Sequence, residues 1–119
     1  MEKLLNASDL IPAVRQEGEA LVVAVRGELD LHNSPELRTE ILDLLARTKA
    51  KRLVLNLTQV PYMDSSALAV LVEALKNLMK VGGRVTLFGL QPRVKGLLEI
   101  ARLATVFRLC KDEAEALSK

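Results

Sequence analysis

Leu53-Val54-Leu55-Asn56-Leu57 is followed by the loop Thr58 to Asp64. Then comes a run in which Leu68, Leu71, Val72, Leu75, Leu78 and Met79 recur, and Arg84 to Phe88 closes the stretch. Five residues that are nearly all apolar suit a central strand covered on both faces. Apolar residues at i, i+3, i+4 and i+7 mark one face of a helix. Val81-Gly82-Gly83 can end that helix, because a glycine adopts the left-handed conformation freely. Strand, helix and strand at this spacing make a βαβ unit, so the two strands are expected to be parallel and adjacent or nearly so, with a right-handed crossover.

Working outward, Ile11 to Arg15 reads as a short edge strand, with Pro12 tolerated there, and residues 1–10 as a loosely held lead-in. Glu17-Gly18-Glu19 is a turn, and Leu21 to Arg26 a buried strand, so the two strands form a hairpin. Gly27 ends the second strand, and a polar loop with Glu28, Asp30, His32 and Asn33 follows. Ser34-Pro35-Glu36 predicts a helix start with Ser34 as cap, running with Leu37, Ile41, Leu44 and Leu45 to near Lys49. Pro92 opens another helix, in which Gly96 costs about 1 kcal/mol relative to alanine and allows close approach to another backbone. Val106 to Leu109 reads as a last strand and Asp112 to Leu117 as a closing helix. The expected architecture is α/β: a mixed sheet of four or five strands with helices mainly on one face. It forms one domain over residues 1–119, with its core at about 10–117.

Composition narrows the function. The chain has 119 residues, half of them hydrophobic, but only three aromatic residues and no Trp. Stacking platforms for single-stranded nucleic acid are therefore almost absent. A net charge of +2, with signs interspersed, is too even for a strong DNA-binding footprint. Cys110 is the only cysteine, so no intrachain disulfide can form, and the N-terminus lacks a secretory pattern. No apolar run approaches the ~18 residues of a membrane span. A cytoplasmic setting is the simplest expectation, with no nucleic acid and no membrane insertion.

Catalytic chemistry is poorly supplied. One histidine and one cysteine do not make a conventional zinc cluster. Ser65, His32 and Asp30 could be written as a triad, but spacing alone carries no geometry, and His32 reads as a polar loop residue. Glu28 and Asp30 read as solvated loop carboxylates rather than an acid–base pair. Gly82-Gly83 follows a helix, whereas phosphate-binding loops need glycines between a strand and a helix start. The expectation is no enzyme and no cofactor.

Pro61-Tyr62-Met63-Asp64-Ser65-Ser66-Ala67-Leu68 carries the functional signal. Asp64, Ser65 and Ser66 are all competent helix caps. A serine at a helix N-terminus is exposed, and the free amides there attract anions. Tyr62 and Met63 beside the polar cap suit a contact surface. The segment fits reversible charge.

The order Gly27-Glu28-Leu29-Asp30, Leu53 to Leu57, Met63-Asp64-Ser65-Ser66-Ala67-Leu68, Gly82-Gly83 and Val94 through Phe107 resembles STAS domains over about residues 10 to 117. The family is named for sulphate transporters and anti-sigma factor antagonists. The short free-standing chain is most similar to the antagonists. The resemblance implies a partner-switching cycle, in which the unmodified protein binds an anti-sigma factor of the serine-kinase type. Phosphorylation of Ser65 ends that binding, and a phosphatase resets it, so that sigma-dependent transcription is regulated. It implies partner contacts at Asp30, Met63, Asp64, Ser66 and Ala67. The family pattern usually reads D-S-S-G-L-G, and here Ala67 and Ala69 replace both glycines. Their methyl groups would crowd a partner approaching the helix start. Two other readings of the resemblance are an accessory subunit of a membrane lipid transporter and a nucleotide-sensing domain.

Overall fold

The computed structural model describes residues 8–118. Strand β1 (Ala13–Glu17) and strand β2 (Ala20–Arg26) form an antiparallel hairpin. Helix α1 (Ser34–Thr48), strand β3 (Arg52–Gln59), helix α2 (Ser65–Met79) and strand β4 (Arg84–Phe88) follow. Helix α3 (Pro92–Ile100), strand β5 (Arg108–Cys110) and helix α4 (Glu113–Leu117) complete the order. The five strands lie in the sheet in chain order, and every pairing after the hairpin is parallel. The β3–β4 register sets Leu53 against Val85 and Leu55 against Leu87, as the nearly all-apolar run and its following helix require.

Alternation within the strands divides the core. Leu21, Val23, Leu53, Leu55, Leu57, Val85 and Leu87 share one cluster with residues of α1, α2 and α3. Val22, Val54 and Phe88 point the other way, against Ala116 of α4. Three helices on one face and a five-residue helix on the other are thus dictated by which side of each strand is apolar. Loops that follow β2, β3 and β4 gather at one end of the sheet, where parallel α/β folds place their sites. Among the described residues, no helix is long and apolar enough to cross a membrane.

Several boundaries differ from expectation. β1 begins at Ala13, because the Ile11 amide is bonded to Ser8 Oγ at 3.1 Å and Pro12 has no amide to give. Part of the expected lead-in, residues 1–7, lies outside the described residues. β3 continues to Gln59, whose carbonyl accepts the Gly27 amide at 2.9 Å. β5 begins at Arg108, and Val106 is an exposed turn residue. Cys110 is only partly buried. After α2, the Gly83 amide reaches the Leu78 carbonyl at 2.7 Å and the Gly82 amide reaches Met79 at 3.2 Å, with Gly82 at φ +75°. These are the two bonds of a Schellman cap.

The close approach expected at Gly96 is absent: a Cβ there would meet nothing within 4 Å. The glycine therefore costs helix stability without a packing return. Gly96→Ala is expected to stabilise the fold by about 0.5–1 kcal/mol, seen as a rise of a few degrees in the thermal midpoint. An unchanged or lower midpoint would contradict that account.

Candidate functional site

The site grows from the way β3 ends. Beyond Gln59, at the end of the central strand, Met63 forms an isolated parallel bridge with Leu29 of the β2–α1 loop. The Leu29 amide donates to the Tyr62 carbonyl at 3.0 Å, and the Asp64 amide donates to the Leu29 carbonyl at 3.0 Å. Two loops far apart in sequence are thereby laced into one surface.

Asp64 fixes that surface with a single carboxylate. Its Oδ1 accepts the Ser66 amide at 2.9 Å, the Ala67 amide at 3.2 Å and the Ser66 hydroxyl at 2.5 Å. Its Oδ2 accepts the Leu31 amide at 3.0 Å. One oxygen caps α2 and the other holds the β2–α1 loop. The Ser66 hydroxyl foremost, then the amides of Ala67, Ser66 and Leu31, hold the Asp64 carboxyl below the usual carboxylate range, against an opposing effect of desolvation. The stability this provides is full above the unfolded-state value of about 3.9 and is lost as pH falls through the lower folded value. Asp64→Asn removes the charge but keeps a capping side chain. The gap in thermal midpoint between the native protein and Asp64→Asn is expected to be constant near neutrality and to shrink below about pH 4. A gap that widens on acidification would contradict this.

Asp30 belongs to the same end of the sheet. Its Oδ1 accepts the His32 amide at 2.9 Å and the Asn33 amide at 3.3 Å, while Asn33 Oδ1 accepts the Asp30 amide at 2.9 Å. The Asp30 carbonyl accepts the Ser34 amide at 2.9 Å. This turn corrects the expected cap of α1. Asn33 occupies the cap position without a capping side-chain bond, and Ser34 is the buried first residue of the helix. Asp30, Leu31, His32 and Asp64 line a shallow hollow. Among the described residues no hydrogen bond joins the side chains of Asp30, His32 and Ser65. Nor do the described residues hold a group of three or more His, Cys, Asp or Glu placed for a metal ion.

The two serines of the cap are not equivalent. Ser66 is half-buried and its hydroxyl is committed to Asp64. Ser65 is exposed, outside that network, at the mouth of a groove of about 430 Å³ that runs along α2 past Leu68, Ala69, Val72 and Leu103. Two of the expected contact residues are buried. Met63 is 2% exposed and Ala67 is 0% exposed, so their side chains support the turn from within and present no surface to a partner. The Ala67 methyl therefore cannot crowd an approaching protein. The exposed Ala69 methyl lines the groove instead.

Sequence reading missed three features. Leu31 is 74% exposed at the rim, an apolar side chain held out by the Asp64 bond to its amide. Arg93 of α3 lies over the Tyr62 ring, 4.6 Å from its centroid. Gln91 Nε2 donates to the Thr58 carbonyl at 2.8 Å, which ties the β4–α3 turn to the end of β3. Only the apolar Leu31 within a polar loop left a signal in the sequence.

A hairpin-led parallel sheet, with a serine-tipped helix springing from its central strand and laced to the preceding loop, is the arrangement of a STAS domain. The chain belongs to the STAS domain family, which it matches over residues 12–116. It is 34% identical over 93 residues to the anti-sigma-B factor antagonist of Listeria monocytogenes, covering 78% of this chain and 81% of that one. It is 30% identical over 99 residues to the anti-sigma F factor antagonist of Paenibacillus polymyxa, covering 83% of this chain and 85% of the relative. The crystal structure of an anti-sigma factor antagonist from Mycobacterium paratuberculosis superposes with a TM-score of 0.80 at 27% identity, covering 96% of this chain and 97% of the other.

Proposed function

We propose that this protein is an anti-sigma factor antagonist acting in the cytoplasm, and that it binds an anti-sigma factor of the serine-kinase type through the end of the sheet that carries Ser65. The names of its relatives support the general role. The observation that carries the finer reading is the division of labour in the cap: Asp64 engages Ser66 and leaves Ser65 exposed. Ser65 is then the residue the partner kinase phosphorylates, and a phosphatase removes the group. Asp30, Leu31, Asp64 and Ser66 form or brace the docking surface around it. Met63 and Ala67 act indirectly, by holding the turn in place.

Capture of the tagged protein from its own cells, with phosphosite mapping, tests the assignment. The expected result is a kinase-like anti-sigma factor in the complex and phosphate on Ser65 in the unbound fraction. A transporter ATPase as the stoichiometric partner, or phosphate on Ser66 with Ser65 unmodified, would contradict it.

A further inference from the structure

At the other end of the sheet, three guanidinium side chains stand together. Arg52 opens β3 and pairs in register with Arg84, which opens β4. Arg108 opens β5 and pairs with Thr86, two residues along β4 on the same face. Arg52 Nη2 and Arg108 Nη1 both donate to the Ala116 carbonyl, at 2.9 Å and 2.8 Å, so the two groups converge on one point at the end of α4. Arg108 Nη2 donates to the Glu115 carbonyl at 3.0 Å.

Carbonyl oxygens carry only partial charge, and among the described residues no carboxylate is bonded to these three cations. Arg38 and Arg47, by contrast, each have one, in Glu73 and Asp43. Arg84 is exposed, and its side chain makes no hydrogen bond or ion pair among the described residues. Arg52 Nε is buried without a hydrogen-bond partner, and so is the hydroxyl of Thr86, whose residue is 0% exposed. Burial first, then the fields of Arg84 and Arg108, pull Arg52 below the usual arginine range, with Glu19 the acidic group that opposes them. Three like charges with only Glu19 to oppose them destabilise a fold, and a doubly charged oxyanion removes that penalty.

We propose that Arg52, Arg84 and Arg108 form a binding site for a phosphate group at the N-terminal edge of β3, β4 and β5. Planar guanidinium forks match phosphate oxygens in charge and geometry, which a cluster of lysines would not do as specifically. The site lies at the end of the sheet remote from Ser65 and is independent of the partner cycle. The phosphate group comes either from a free phosphate or from an anionic lipid headgroup, two sources that the test separates.

Inorganic phosphate and pyrophosphate are titrated into the full chain at constant ionic strength by calorimetry. Sedimentation with phosphatidylglycerol and with phosphatidylcholine vesicles runs alongside. Arg84→Gln is the test variant, since its exposed side chain leaves folding intact, and Lys95→Gln is the control for loss of one positive charge. The expected result is saturable binding of phosphate or pyrophosphate, or retention on phosphatidylglycerol alone. Arg84→Gln is expected to weaken it about tenfold and Lys95→Gln to leave it unchanged. Soluble-ligand binding assigns a free phosphate, and vesicle retention without it assigns a headgroup. No binding in either arm, or equal loss in both variants, overturns the proposal.

Discussion

Phosphorylation of Ser65 is expected to weaken binding of the anti-sigma partner by roughly a hundredfold or more while leaving the domain folded. The added group carries about −1.5 to −2 charges at neutral pH. Ser65 is the first residue of α2, where a helix favours negative charge by about 0.3–1 kcal/mol. The neighbouring Asp64 carboxylate repels the phosphate, but both groups face solvent and salt screens that repulsion. The fold therefore tolerates the modification. A docked partner has no such latitude, since burying an uncompensated phosphate costs several kcal/mol even after relaxation. Each 1.4 kcal/mol is a factor of ten, so about two decades of affinity are at stake. Ser65→Ala is expected to stay bound in the presence of the kinase. Ser65→Asp brings one charge and fewer acceptors, so its effect is partial. Ser66→Ala deletes the hydroxyl bond to Asp64 and is expected to lower the melting temperature while leaving the switch at Ser65 intact.

Gly89→Ala is expected to be the most damaging small substitution at this end of the sheet. Gly89 has φ +71°, and a Cβ built on it would lie 2.2 Å from Thr58 Cγ2 and 3.3 Å from Thr58 Cβ. The left-handed conformation costs alanine about 1–2 kcal/mol. The overlap costs about 1–3 kcal/mol more, because Thr58 cannot easily turn away. Its hydroxyl is held to Asn56 Oδ1 at 2.7 Å, and its carbonyl accepts Gln91. A loss of about 2–5 kcal/mol in urea unfolding is the expected outcome. Thr58→Ser removes the clashing methyl, so adding it to Gly89→Ala should restore the steric part and leave the backbone part. A loss below about 0.5 kcal/mol would show that the turn relaxes freely and would sink this reading.

How much of this was legible depends on whether the cause is local. The apolar run at Leu53–Leu57, the spacing along α2 and the glycines at its end report local physics, and they placed the parallel pair and the helix between its strands correctly. The D-S-S stretch was equally clear as a helix start but left three candidates for the cap. What selects Asp64 is the Leu31 amide, 33 residues away, which only a two-oxygen acceptor can serve while capping α2. The burial of Met63 has the same origin: its bridge to Leu29 turns a residue in a polar loop into a core residue. The arginine cluster follows from the registers β3–β4 and β4–β5 and from where α4 ends, none of which spacing reveals. The start of β1 was misplaced because the Ile11 amide found a partner outside the sheet.

The central claim is that Ser65 is the exposed, switchable residue of a docking surface that Asp64 builds. The most direct test is titration of the anti-sigma partner against unmodified protein and protein phosphorylated on Ser65 alone, with thermal melts of both forms. The account predicts an affinity lower by about a hundredfold or more for the phosphorylated form and a melting temperature that is unchanged or slightly higher. Equal affinities for the two forms would contradict it.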